Sequence, residues 1–132
     1  FGDQWQYRPS NENYKTANDC IRKLIDIRAK GGNFLLNFGP DEQGRFPGEQ
    51  AGGLNELSLW MFINREAFLD SEPLDIVRED NIWFLKRKGE HTVYAFLVED
   101  SWPLGERKVR TIRSLRAGKN DRTVKCLNTT PM

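Results

Sequence analysis

Residues 30–47, KGGNFLLNFGPDEQGRFP, hold the feature that most limits how this chain can fold. Phe34-Leu35-Leu36 has no polar alternation, which suits a strand covered on both faces, as in parallel sheets. Before it, Ala17, Cys20, Ile21, Leu24, Ile25 and Ala29 recur at three- and four-residue steps and make one apolar helical face. Thr16 with Asp19 forms a capping-box pattern, and Gly31-Gly32 lets the chain leave the helix through a left-handed conformation. Burying Ile21, Leu24 and Ile25 contributes on the order of 1.5 to 3 kcal/mol each, so that face needs a partner. After the run, Gly39-Pro40 and DEQG supply turn chemistry, and Pro47 suits a first helical position. Leu54, Leu57, Trp60 and Met61 then give a second helix that ends near residues 63–64. Helix, buried strand, helix is a piece of an α/β repeat, and the strands that would flank residues 33–38 must lie elsewhere.

After Pro73 the period becomes two. LDIVR, NIWFLKR, HTVYAFLVE, RKVRTIR and RTVKCLN read as five short strands joined by hairpin-length connections, an antiparallel sheet forming part of a sandwich. A domain boundary is expected near residues 71–74, dividing the chain into 1–72 and 73–132.

Bulk chemistry selects no partner: 132 residues carry 38% hydrophobic and 30% charged side chains with a formal net charge of +1. No apolar run reaches the roughly 20 residues that a membrane helix requires. Because position 1 is Phe rather than Met, a leader is left undecided. Cys20 and Cys126 are too few for a disulfide scaffold or a zinc site and read as two buried thiols. His91, the only histidine, falls in a strand-like segment and reads as structural. The sequon Asn128-Thr129-Thr130 matters only in a secreted protein.

Other motifs have plain readings. Between Arg107 and Lys125 there are eight Lys or Arg residues and one acid, Asp121. Clustered cations can serve phosphate contacts, but Lys108 and Arg110 alternate with Val109 and Thr111, as on the solvated side of an edge strand. Trp60 and Trp83 fit core positions. Glu66, Asp41 and Glu42 read as solvated or capping charges, and no carboxylate pair has a catalytic spacing. There is no P-loop, dinucleotide fingerprint or nucleophile elbow. Trp5 is different, because no helical or strand face explains an indole in the polar loop DQWQYR. Such a ring either anchors its loop or stacks on a ligand, its flat face covering the C–H side of a sugar.

The order W-Q-Y, Y-K-T-A, then C-I-R-K-L-I-D-I-R-A-K-G-G-N-F-L-L-N-F-G-P-D-E-Q-G-R-F-P resembles the end of the catalytic domain of α-L-fucosidases of glycoside hydrolase family 29. The likeness continues through EQAGGLNELSLWMFINREAF and, more weakly, IWFLKRKGEHTVYAFLVEDSWP, so that it covers about residues 5–103. It departs at Gln6, Arg65 and Leu69, where the family pattern has Gly, Gly and Tyr, and Gly52-Gly53 sit inside the second helix. The resemblance implies an α/β fold, the last units of a (β/α)8 TIM-like barrel followed by an antiparallel β-sandwich segment. Residues 16–30 would be the seventh helix, 33–38 the eighth strand and 47–63 the eighth helix.

It also implies a retaining exo-glycosidase that removes terminal α-L-fucose, with the nucleophile and acid upstream and no catalytic residue in this chain. Trp5 would line the fucose pocket at the C-terminal rim of the barrel, with Asn37 at the same rim. The implied partner is a fucosylated glycan; no nucleic acid, membrane, cofactor or metal is expected, a homo-oligomer is allowed, and the family compartment is secreted, periplasmic or lysosomal. The alternative is a noncatalytic carbohydrate- or partner-binding α+β module.

Overall fold

The computed structural model describes residues 1–10, 13–103, 105–116, 118 and 124–127. Two helices precede a three-stranded antiparallel sheet: α1 (Ala17–Ala29), α2 (Gly48–Phe68), β1 (Ser71–Glu79), β2 (Ile82–Arg87) and β3 (Val93–Leu97), with β2 in the centre. α1 starts on the expected capping box, in which the Thr16 hydroxyl accepts from the Asp19 N–H and the Asp19 carboxylate accepts from the Thr16 N–H. It stops at Gly31, whose φ of 85° is the left-handed exit that glycine makes inexpensive. α2 runs to Phe68, past the expected end near residues 63–64. Asn64 does not cap it; its amide bonds back to the Trp60 carbonyl at 2.9 Å, and Asn64, Ala67 and Phe68 continue the buried face. The chain turns only at Asp70, with φ 54°, and β1 begins at once.

Ile21 and Ile25 of α1, Ala67 and Phe68 of α2, Leu85 of β2 and Tyr94 of β3 form one core cluster, so helices and sheet share a hydrophobic interior. Leu85 opposes Tyr94 across the β2–β3 ladder, and Phe68 packs on Phe96 with ring centroids 5.0 Å apart. Ile82 and Phe84, alternating with Trp83 and Leu85 along β2, are buried as well, so the centre strand is covered on both faces. Trp60 and Trp83 are half-buried against the core cluster, as expected. Polar ties reinforce the packing: Trp83 Nε1 donates to Asp26 Oδ1 at 3.0 Å, Arg22 reaches Asp100 at 2.8 Å, and the Tyr94 hydroxyl donates to Glu66 at 3.1 Å. No helix among the described residues is long and apolar enough to cross a membrane.

Several expectations are corrected. Residues 33–38 take no regular secondary structure, and Leu35 is 84% exposed rather than covered on two faces, because no described strand lies beside them. The stretch 107–113 is not a strand either. Its cations turn to Glu99, which takes Arg110 at 2.7 Å and Lys108 at 3.7 Å, and the Glu79 carboxylate accepts from the backbone N–H groups of Arg113 and Ser114. Side-chain bonds thus replace ladder bonds there. The last expected strand falls partly outside the described residues, as does the sequon at 128–130; residues 124–127 are not in a strand. His91 lies exposed in the turn before β3, and Cys126 is exposed rather than buried, whereas Cys20 is fully buried.

Two measurements follow from these contacts. Burial pushes the Cys20 thiol up, so a thiol reagent at neutral pH should label Cys126 rapidly and Cys20 only on unfolding. Rapid labelling of both thiols would contradict the packing of α1. Asp26 is held below the usual carboxylate range by Lys30 and then Trp83, Asp19 by Thr16, Glu79 by Ser114 and Arg113, and Glu99 by Arg110. Each folded value lies below the unfolded one, so the stability these groups contribute is complete above about pH 4 to 4.5 and is lost as the pH falls through the folded values. Thermal melts from neutral to acidic pH should show Tm level above about pH 5 and falling below about pH 4. A Tm that rises on acidification would contradict the bonding of these carboxylates.

Candidate functional site

The two residues singled out from sequence, Trp5 and Asn37, are brought together. Asn37 Nδ2 donates to the Trp5 carbonyl oxygen, and the Phe1 nitrogen donates to the Asn37 carbonyl. The N-terminal loop is thereby laid across the end of the 33–38 segment. From the other side Lys15 holds it, its N–H donating to the Phe1 carbonyl at 3.1 Å and its Nζ to the Gly2 carbonyl at 3.0 Å. The loop is thus fixed through its main chain. An anchoring Trp would bury its indole, but Trp5 is 82% exposed, so its ring is presented outward by a loop that other groups hold.

Three residues that carried no functional reading from sequence complete the clamp. Gly39 backs directly onto the Gln6–Tyr7 peptide, and a Cβ at position 39 would come within 2.5 Å of the Tyr7 nitrogen and 2.9 Å of the Gln6 carbonyl carbon. Gln50, in the first turn of α2 and 3% exposed, accepts from the Gly39 N–H and donates to the Gly39 carbonyl, both at 3.1 Å. Gly53, one turn on, leaves a notch for the Phe1 ring, where a Cβ would lie 2.8 Å from Phe1 Cε1. Phe1 also stacks on Phe38 at 5.1 Å. The one available signal was Gly52-Gly53, since glycine inside a helical pattern commonly has a packing reason.

The space under the loop, lined by Gln6, Tyr7, Arg8, Tyr14 and Gln50 among others, is about 10 Å³, enough for a single water and far too small for a sugar ring. What the loop presents is the exposed Trp5 ring and the contacts that hold its backbone. Asp19, Asp26, Asp41, Glu79 and Glu99 are all shifted downward, held as anions by hydrogen bonds, whereas a general acid needs its pKa raised. No group of three or more His, Cys, Asp or Glu among the described residues could hold a metal ion.

The sequence model of one family, described as Alpha-L-fucosidase, matches residues 1–66, which contain the loop, α1, the 33–39 segment and nearly all of α2. The chain belongs to the alpha-L-fucosidase family. An alpha-L-fucosidase of Dictyostelium discoideum is 38% identical over 87 residues, covering 65% of this chain and 19% of that protein. The tissue alpha-L-fucosidase of Bos taurus is 34% identical over 101 residues, covering 75% and 21%. Among solved structures, alpha-L-fucosidase from Vibrio sp. strain EJY3 superposes with a TM-score of 0.61 at 34% identity, covering 65% of this chain and 15% of that one. The chain thus spans about a fifth of the length of the curated fucosidases it matches.

The glycines of this fucosidase-family segment give a direct test. Gly52 has open space around its Cα, so Gly52→Ala should stabilise α2 by up to about 1 kcal/mol through helix propensity alone. Gly53→Ala, one residue away, should instead destabilise by about 1 to 3 kcal/mol, since Phe1 must leave its notch. Urea denaturation of the two variants checks this; equal effects would mean that the Phe1 contact does not form.

Proposed function

We propose that this chain supplies the last units of a (β/α)8 catalytic barrel, residues 1–72, and the start of a β-sandwich domain, residues 73–132, in an enzyme that removes terminal α-L-fucose from glycans. In this reading residues 33–38 are the eighth barrel strand, α1 and α2 are the seventh and eighth helices, and the Trp5 loop lies at the C-terminal rim, where such barrels build their sites. The carrying observation is Trp5 itself: an exposed indole, held by its backbone at the far end of the 33–38 segment. An indole face covers the apolar C–H side of a pyranose, which for fucose includes its methyl group, while ring hydroxyls find polar partners.

Two further features support a larger barrel around this chain. Leu35 is 84% exposed on a segment with no strand beside it among the described residues, and α2 carries Leu59, Phe62 and Ile63 exposed on the side away from its buried face. A helix apolar on both sides is a buried helix. The strand and the second face of α2 have the character of surfaces meant for the earlier barrel units. Names of the matched relatives, fucosidases throughout, support the substrate.

The mechanism in this reading is retaining hydrolysis, with an Asp nucleophile and a second carboxylic acid that protonates the leaving oxygen. Both lie outside this chain. What these residues contribute is binding: Trp5 stacks on the sugar, and Asn37 keeps the loop that carries it in register. The substrate partner is a fucosylated glycan. Nucleic acid is not favoured, since Lys108 and Arg110 of the basic stretch are already paired with Glu99. The purified 132-residue chain should release no measurable phenol from an aryl α-L-fucoside. Turnover by this chain, abolished by substituting one of its own carboxylates, would overturn the placement of the catalytic pair.

A further inference from the structure

We propose that Gln50 is a positioning residue for the sugar-facing loop: through the Gly39 peptide it sets where Trp5 stands, and so how tightly a fucosyl ring is held. The proposal rests on the reading of Trp5 as a sugar contact and extends it to a side chain on another element.

The argument follows the polar atoms. Residues 33–39 have no neighbouring strand among the described residues, so the N–H and C=O groups of Gly39 need other partners. Gln50 provides both. A primary amide has a donor and an acceptor side by side, as a peptide does, and its two bonds of 3.1 Å to Gly39 reproduce one rung of a β-ladder. At 3% exposure the Gln50 amide is itself shut off from solvent, and removing it takes both partners from the half-buried N–H and C=O of Gly39.

The other side of the same glycine bears on the loop. With no Cβ at position 39, the Gln6–Tyr7 peptide lies directly against the Gly39 backbone. Two residues earlier, Asn37 donates to the carbonyl of Trp5. The carbonyl of Trp5 and the peptide that follows it are thus both referenced to residues 37–39, and residue 39 is referenced to α2. Because Trp5 is 82% exposed, little side-chain packing would return its ring to place if that chain of contacts opened. The ligand class is a pyranose presenting an apolar face, and the property controlled is its binding.

Gln50→Met keeps volume and removes both bonds, whereas Gln50→Glu keeps the acceptor for the Gly39 N–H. In the 132-residue chain, ¹⁵N relaxation of Gln50→Met should show order parameters at residues 5–7 falling from about 0.85 to below about 0.6. The Gly39 amide should exchange at least about tenfold faster while amides at 57–64 keep their rates, and Gln50→Glu should recover part of the Gly39 protection. In the full-length protein that carries this chain, Gln50→Met should raise KM for an aryl α-L-fucoside about tenfold with kcat changed less than about twofold, and Trp5→Ala should act in the same sense. Unchanged loop order parameters, or a loss of protection spread evenly over α2, would overturn the clamp. A looser loop with KM moved by Trp5→Ala but not by Gln50→Met would overturn the positioning role alone. A looser loop with KM moved by neither variant would overturn the sugar contact at Trp5, and the positioning role with it.

Discussion

A main chain that leaves a helix and finds no sheet must still satisfy its hydrogen bonds, and that requirement organises the first half of this protein. At the end of residues 33–39 the partners come from elsewhere in the chain: the Asn37 carbonyl accepts from the Phe1 nitrogen, and Gln50 comes in from α2 to take both groups of Gly39. Each bond that satisfies the segment also ties in another element. The N-terminal loop is fixed to the segment, the segment to α2, and α2 to α1 and the sheet through the shared cluster around Ile25, Phe68 and Leu85. The Trp5 loop therefore stands on the same framework as the hydrophobic core, although the indole itself does not enter that core.

The second half of the chain uses a similar substitution. Where 107–113 has the alternation of a strand, it is held instead by two acids, Glu79 gripping backbone N–H groups and Glu99 gripping Arg110 and Lys108. Carboxylates that accept from N–H groups and guanidinium make charge-assisted bonds, stronger than neutral ones. Two of the four cations of this stretch, Lys108 and Arg110, are thus paired within the fold.

How much of this was legible in the sequence depends on the range of the interaction. α1 was readable from end to end because its signals are local: the Thr16–Asp19 box, the 3.6-residue recurrence and Gly31. The three strands were readable from period-two alternation, and α2 was placed correctly at its start. Its end was missed because Asn64 looks like a terminus but bonds back along the helix. The missing strand at 107–113 could not be read, since alternation describes what a segment can pair with and not whether a partner is beside it, whereas the want of strands beside residues 33–38 followed from the order of elements. Trp5 and Asn37 were picked out, one by its misfit with any pattern and the other by its place after the apolar run. Gln50 was invisible: a glutamine in the first turn of a helix looks solvated, and only the fold brings Gly39 to it.

The backbone-only attachment of Trp5 has a consequence for how this family can diversify. All the bonds that hold the loop end on carbonyls and amides, groups that every residue type carries, and the indole is left outside the energy balance of folding. Replacing position 5 by a smaller, polar or differently shaped side chain removes little stability. Position 39 has the opposite standing, because any side chain there strikes the Tyr7 nitrogen. The tip of the loop thus tolerates replacement where the glycine beneath it does not.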